Sequence, residues 1–259
     1  MVVGLDVFRH YFEAFPEHYV IIGGTACDVA LSAEGLTPRA TKDIDIILVV
    51  EALNPAFVAQ FWQFIQDGKY ERREASADER RYYRFVNPAT DGFPKQIELF
   101  ARQPDVIVLP ADAHLTPIPV DDDLSSLSAI LLNDEYYQHI IQHSEVRDGL
   151  RMANTEALIV LKAKAFLEMN ERLAKGQHED GKHIRKHKND VYRLAVLLTA
   201  EDSFDLPPLI LSHMNSFMAE AGKEMPDASF FKDLGAPGLD PKVVHEQIIT
   251  SFKLNEEGE

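Results

Sequence analysis

Two aspartates separated by a single isoleucine, Asp43-Ile44-Asp45, open a run that continues Ile46-Ile47-Leu48-Val49-Val50. A run this rich in β-branched residues reads as a buried strand. Residues two apart on a strand share a face, so the two carboxylates project side by side while Ile44 and Ile46 turn to the core. Paired hard oxygen donors suit Mg²⁺ or Mn²⁺, and carboxylate-held ions can stabilise both the attacking and the leaving oxygens of an in-line phosphoryl displacement. A third acid is then expected on a neighbouring strand. Glu98 fits, because an acid between Ile97 and Leu99 has no other obvious reason to sit in a strand. Upstream, Gly23-Gly24-Thr25 forms a turn into a helix, whose backbone N–H groups and N-terminus suit phosphate oxygens. Thr25 adds a hydroxyl with reach to the terminal phosphates or to a metal-bound water. A GGT turn or an Asp-x-Asp alone is a weak signal; in this order and spacing the two reinforce each other. Arg39 and Lys42 flank the acid pair as candidate phosphate contacts, with a structural ion pair the equal alternative.

Two further candidates lie in the second half. The stretch Ala157 to Leu167 is apolar nearly all round, so its helix should be buried, and a lysine inside it needs a reason. Lys162 and Lys164 point about 200° apart on such a helix, so only one faces a given cleft and the other snorkels to solvent. Asp190 shares a helix with Lys186 and Arg193 at neighbour spacing, where a surface ion pair competes with a site role. Lys182-His183-Ile184-Arg185-Lys186-His187-Lys188 is the densest positive patch in the chain. A solvated helix face and an acceptor surface for a polyanion read equally well there. His183 and His187 lack the Glu and third ligand of a zinc site.

Together these segments resemble the nucleotidyltransferase superfamily of polymerase-beta-like fold, and most closely the AbiEii-type toxin group. Gly23-Gly24-Thr25-Ala26 followed by Arg39-Ala40-Thr41-Lys42-Asp43-Ile44-Asp45-Ile46 looks like its signature. Leu161-Lys162-Ala163-Lys164-Ala165-Phe166 resembles its lysine motif, and Lys186 to Leu194 its distal aspartate motif, with Lys188-Asn189-Asp190 where an Arg-Asp-x-x-Asp form is usual. The resemblance implies catalytic Asp43, Asp45, Glu98, Lys162 and Asp190, with metal on Asp43, Asp45 and Glu98. It also implies nucleotide contacts from Gly23, Gly24, Thr25, Arg39, Lys42 and Lys162. By the family spacing it is Lys162, rather than Lys164, that contacts the triphosphate. The expected reaction moves an NMP from an NTP to a hydroxyl acceptor. That acceptor is RNA, such as tRNA held by Lys182, Arg185, Lys186 and Lys188, with a toxin role and an antitoxin encoded nearby. A small-molecule transferase of the aminoglycoside type and a non-catalytic nucleotide-binding protein are the alternatives.

The elements that must position these residues alternate. A helix is expected over 4–15, a strand over 18–22, a helix from Ala26, a strand over 43–50 and a helix over 55–66, followed by strands over 82–86 and 96–101 that could pair as a hairpin. Prolines 104, 110, 117 and 119 and the run Asp121-Asp122-Asp123 mark a junction. The division is a catalytic domain over 1–118 with a mixed α/β (α+β) sheet, and a mainly helical domain over 119–259, with helices near 124–132, 154–174 and 183–198 and shorter ones after Pro207.

Composition sets the outer bounds. No apolar stretch approaches the roughly 20 residues needed to cross a bilayer, and the N-terminus lacks the features of a secretory signal, so a cytoplasmic location is expected. A single cysteine, Cys27, excludes an internal disulfide and reads as a small buried residue. The formal charge of −16 argues against general nucleic-acid coating, so any polyanion must meet a local basic patch.

Overall fold

The computed structural model describes residues 2–74, 82–100, 116–117, 130, 133–176 and 180–255. The chain is mixed α/β and divides into two compact units, each assembled from separated stretches. The first comprises Met1–Asp28, Arg39–Asp121 and Ile141–Ala153; the second comprises Val29–Pro38, Asp122–Ile140 and Asn154–Glu259. This differs from a single division at 118/119, because the sheet takes back a hairpin from well beyond that point.

The first unit is built on a sheet of order β6-β3-β4-β5-β2-β1-β8-β7 among the described residues. Its strands are β1 (Tyr19–Ile22), β2 (Asp43–Leu48), β3 (Glu71–Glu74), β4 (Tyr82–Val86), β5 (Gln96–Phe100), β6 (Thr116–Pro117), β7 (Ser144–Arg147) and β8 (Leu150–Ala153). β2 lies at the centre, antiparallel to β1 and parallel to β5, and β4 and β5 pair antiparallel as expected of a hairpin. Every residue of β1 is buried, as a strand flanked on both edges and covered on its faces requires. β7 and β8 are joined by Asp148-Gly149, both at positive φ (46° and 77°), so the two-residue loop matches the twist of its strands. The Asp-Gly dipeptide is that signal in the sequence, and the reading above passed over it.

Helices α1 (Leu5–Phe12) and α3 (Pro55–Gly68) supply an aromatic core. α3 starts where Asn54 caps it, its side chain accepting from the Phe57 N–H, with Pro55 in the first turn; such a cap is worth about 1 kcal/mol. Phe8, Phe12 and Phe64 interlock with Tyr19 and Phe57 in tilted and edge-on ring contacts, the arrangement the ring quadrupole favours. This packing anchors β1, and with it the start of α2 (Gly23–Ala33).

In the second unit, α5 (Thr155–Ala174) and α6 (Gly181–Ala195) pack together with α7 (Pro208–Gly222), α8 (Ala228–Leu234) and α9 (Pro241–Ser251). α4 (Asp134–Gln142) precedes the β7–β8 hairpin. Asn154 caps α5 through the Ala157 N–H and Asp180 caps α6 through the Lys182 N–H. The expected helix over 124–132 lies almost wholly outside the described residues. Among the described residues, no helix is long and apolar enough to cross a membrane.

Candidate active site

β2 places the acids as its two-residue period dictates. Ile44 and Ile46 are buried, whereas Asp43 and Asp45 are partly exposed on the other face. The parallel pairing sets Asp45 opposite Glu98 and Asp43 opposite Gln96, so Glu98 shares the face of the two aspartates. The antiparallel pairing with β1 sets Asp45 opposite Ile22, the last residue before the glycines.

Those glycines do not form a separate turn: α2 begins at Gly23, directly after β1. Gly23 sits at φ +68°, a conformation open to glycine at no steric cost, and a methyl group on it would overlap the Asp45 carboxylate at Oδ2. The missing side chain is therefore what lets the carboxylate lie against the first turn of α2, whose N–H groups carry partial positive charge. At Gly24 a methyl would stand 2.7 Å from Thr41 Oγ1 and 3.4 Å from an Arg39 guanidinium nitrogen, so Thr41 and Arg39 close over this turn. Thr41 and the acids thus approach one helix start from the same loop and strand.

Thr25 departs from its expected role. It is fully buried, and its hydroxyl donates to the Asp43 carbonyl at 2.6 Å. That hydroxyl ties α2 to β2 and so fixes the acid strand rather than reaching outward. Lys42 is exposed.

Glu98 is buried and heavily engaged. Arg84 Nε and Nη2 approach its Oε1 at 2.9 and 2.8 Å, and the Gln96 amide donates to the same oxygen at 2.7 Å. Arg84 was not singled out in the sequence, although a cation inside the aromatic strand Tyr82-Tyr83-Arg84-Phe85-Val86 carried the same signal as Glu98.

As a donor set, Asp43 and Asp45 suit a hard divalent cation: two carboxylates on one strand face, beside a helix start that only glycine permits. Glu98 stands next in register, with one oxygen held by Arg84 and Gln96.

In the second unit, Lys162 Nζ lies 3.3 Å from Asp190 Oδ2, both side chains buried. Arg193 holds the other oxygen of Asp190 at 2.9 Å, with its guanidinium carbon 4.7 Å from the centre of the Phe230 ring. Two cations therefore meet one carboxylate. Asp190 is no surface ion pair. Lys164 turns instead to Glu168, four residues on, at 3.2 Å.

The basic patch divides. Lys182, His183 and Arg185 are exposed and Lys186 partly so. Lys188 is buried, its ammonium donating to the Glu224 carbonyl at 2.6 Å and meeting the Glu224 carboxylate at 3.2 Å. It caps the chain after α7, where carbonyls lack helical partners, and is withdrawn from any polyanion surface.

No protein-family model matches the sequence, and no curated protein matches it. Among solved structures, the chain is similar to an antigenic nucleotidyltransferase-like protein from Paracoccidioides brasiliensis. The identity is 17% and the TM-score 0.42, with 94% of each chain covered.

Proposed function

We propose that this protein is a metal-dependent nucleotidyltransferase that moves an NMP from an NTP to a hydroxyl acceptor. The observation that carries the reading is the fit of Asp45 against Gly23: a strand carboxylate and a glycine-only helix start brought to one place, with Asp43 on the same face. Asp43 and Asp45 would hold Mg²⁺ or Mn²⁺, which when bound offsets charge on a triphosphate and acidifies an acceptor hydroxyl. The first N–H groups of α2, with Arg39 at Gly24, receive phosphate oxygens. Thr25 holds β2 in register with α2, so that both carboxylates keep their aim. In the transfer, a bond forms between the acceptor oxygen and the α-phosphorus, the bond from that phosphorus to the bridging oxygen breaks, and pyrophosphate leaves.

For the acceptor, the exposed Lys182 and Arg185 and the partly exposed Lys186 favour RNA over a cationic drug, because they offer phosphate contacts on an otherwise acidic chain. The resemblance to AbiEii-type toxins points the same way and extends to growth arrest on expression and to a neutralising partner. The test incubates the protein and Asp45→Ala with each α-labelled NTP and Mg²⁺ or Mn²⁺, alongside tRNA and a mixture of aminoglycosides. Label on tRNA with a silent variant supports the reading, and label on the drugs moves the acceptor to small molecules. Absence of transfer and of pyrophosphate in every arm defeats it.

A further inference from the structure

The side chain on the acid face that the reading above leaves without a role is Arg84. Across three adjacent strands, Arg84 of β4 stands opposite Glu98 of β5, and Glu98 opposite Asp45 of β2. Directly opposed residues share a sheet face, so a guanidinium and two carboxylates form one row, with Asp43 a step along β2. The Arg84 side chain is 13% exposed and that of Glu98 10%, with two nitrogens closing on one oxygen. Gln96 completes the grip on that oxygen from the same strand as Glu98.

We propose that Arg84 is a resting counter-cation on this acid row, holding Glu98 when no divalent ion is bound and opposing the binding of that ion, so that it tunes the metal affinity of the site. The inference rests on the reading of Asp43 and Asp45 as the metal-holding pair. Adjacent strands lie roughly 4.8 Å apart, so a dication at Asp45 sits within about 10 Å of the guanidinium, close enough to feel it through a partly buried row. Without Arg84, Glu98 loses the guanidinium that closes on its Oε1, and the row loses one positive charge. The metal-free protein is then less stable, and an incoming dication meets more uncompensated negative charge.

These two effects have opposite signs, which a merely structural arginine would not produce. The experiment titrates Mn²⁺ at pH 8 without nucleotide, following the free-ion electron paramagnetic resonance signal, and records thermal melts of the metal-free protein. Asp45→Asn defines the class of binding that belongs to the site. Within that class, Arg84→Gln is expected to bind Mn²⁺ about tenfold more tightly while melting lower, since a unit charge in this range acts on a dication by a factor of roughly four in bulk water to more than a hundred at a protein surface. Arg84→Lys keeps the charge without the fork and is expected within about threefold of the unaltered protein. Glu98→Gln, which removes one negative charge from the row and keeps the guanidinium, is expected to weaken binding more than tenfold. Equal or weaker binding by Arg84→Gln overturns the inference, as does unchanged binding by Glu98→Gln should Arg84→Gln not fold. If Asp45→Asn itself leaves Mn²⁺ binding intact, the metal-site reading fails first and takes this inference with it.

Discussion

Changing Asp190 to asparagine removes the anion that lies between Lys162 and Arg193. Lys162 and Asp190 are 9% and 5% exposed at their side chains, so the change would strip a carboxylate from a buried ammonium. Breaking a buried pair from one side costs about 3–5 kcal/mol, and the low end applies because an asparagine oxygen still accepts a hydrogen bond. Lys162→Met should be milder, at about 1–1.5 kcal/mol: Asp190 keeps Arg193 at 2.9 Å, and a methionine suits a helix whose neighbours Leu158, Ile159, Leu161 and Ala163 are buried. The double variant should cost less than the sum, with a coupling of roughly 1–2 kcal/mol, since it removes the ammonium together with the carboxylate it faces. Urea unfolding followed by circular dichroism at 222 nm measures all three, and in a thermal melt the Asp190→Asn loss should appear as a fall in Tm of about 6–12 °C. Should Lys162→Met cost as much as Asp190→Asn, or should the two losses simply add, the idea that Asp190 serves both cations is wrong.

Gly23→Ala should depress Mn²⁺ binding and transfer by about a hundredfold, because the new methyl takes the place of the Asp45 carboxylate, while the positive φ adds roughly 1–2 kcal/mol of strain; unchanged metal titration would refute this. Lys188→Met should lower stability without altering RNA affinity, since its ammonium is spent on Glu224. Lys186→Glu should do the reverse and flatten the salt dependence of RNA binding, read by filter binding across NaCl concentrations. Tyr11, hydrogen-bonded to Asp67, has its pKa pushed up to about 12 by burial and by that carboxylate, and burial pushes Tyr19, Tyr70, Tyr136 and Tyr192 up further still. Because the folded values exceed the unfolded value near 10, the stability they contribute is intact below about pH 10 and is lost as pH rises beyond it. Absorbance at 295 nm should therefore show these phenols ionising together with unfolding, and an ordinary tyrosine titration in a still-folded protein would contradict it.

What could be read from the sequence divides by range. The Asp43-Ile44-Asp45 geometry was legible because a strand's period acts between neighbours, and the Tyr82–Val86 and Gln96–Phe100 pairing because the turn between them is local. The β7–β8 hairpin had its Asp-Gly mark, but it returns to the edge of a sheet begun more than a hundred residues earlier, and periodicity does not carry destinations. Thr25 and Lys188 failed for another reason. Each was judged by the chemistry its side chain can do, whereas its partner is a backbone carbonyl, that of Asp43 in one case and of Glu224 in the other. Every carbonyl is an acceptor, so residue type alone does not reveal which one will claim a hydroxyl or an ammonium.

Lys162 marks the boundary between the two kinds of residue. Its apolar helix made burial legible, and burial of a cation demands an anion, but nothing local says that the anion is Asp190 or that Arg193 shares it. The same logic applies to Arg84 and Glu98, which lie in two strands that each looked apolar and each carried one charge. A lone charge inside a buried element is thus a demand for a partner of opposite sign. Two such demands in one unit are a prediction of contact that needs no alignment, and Arg84 could have been paired with Glu98 on that ground alone.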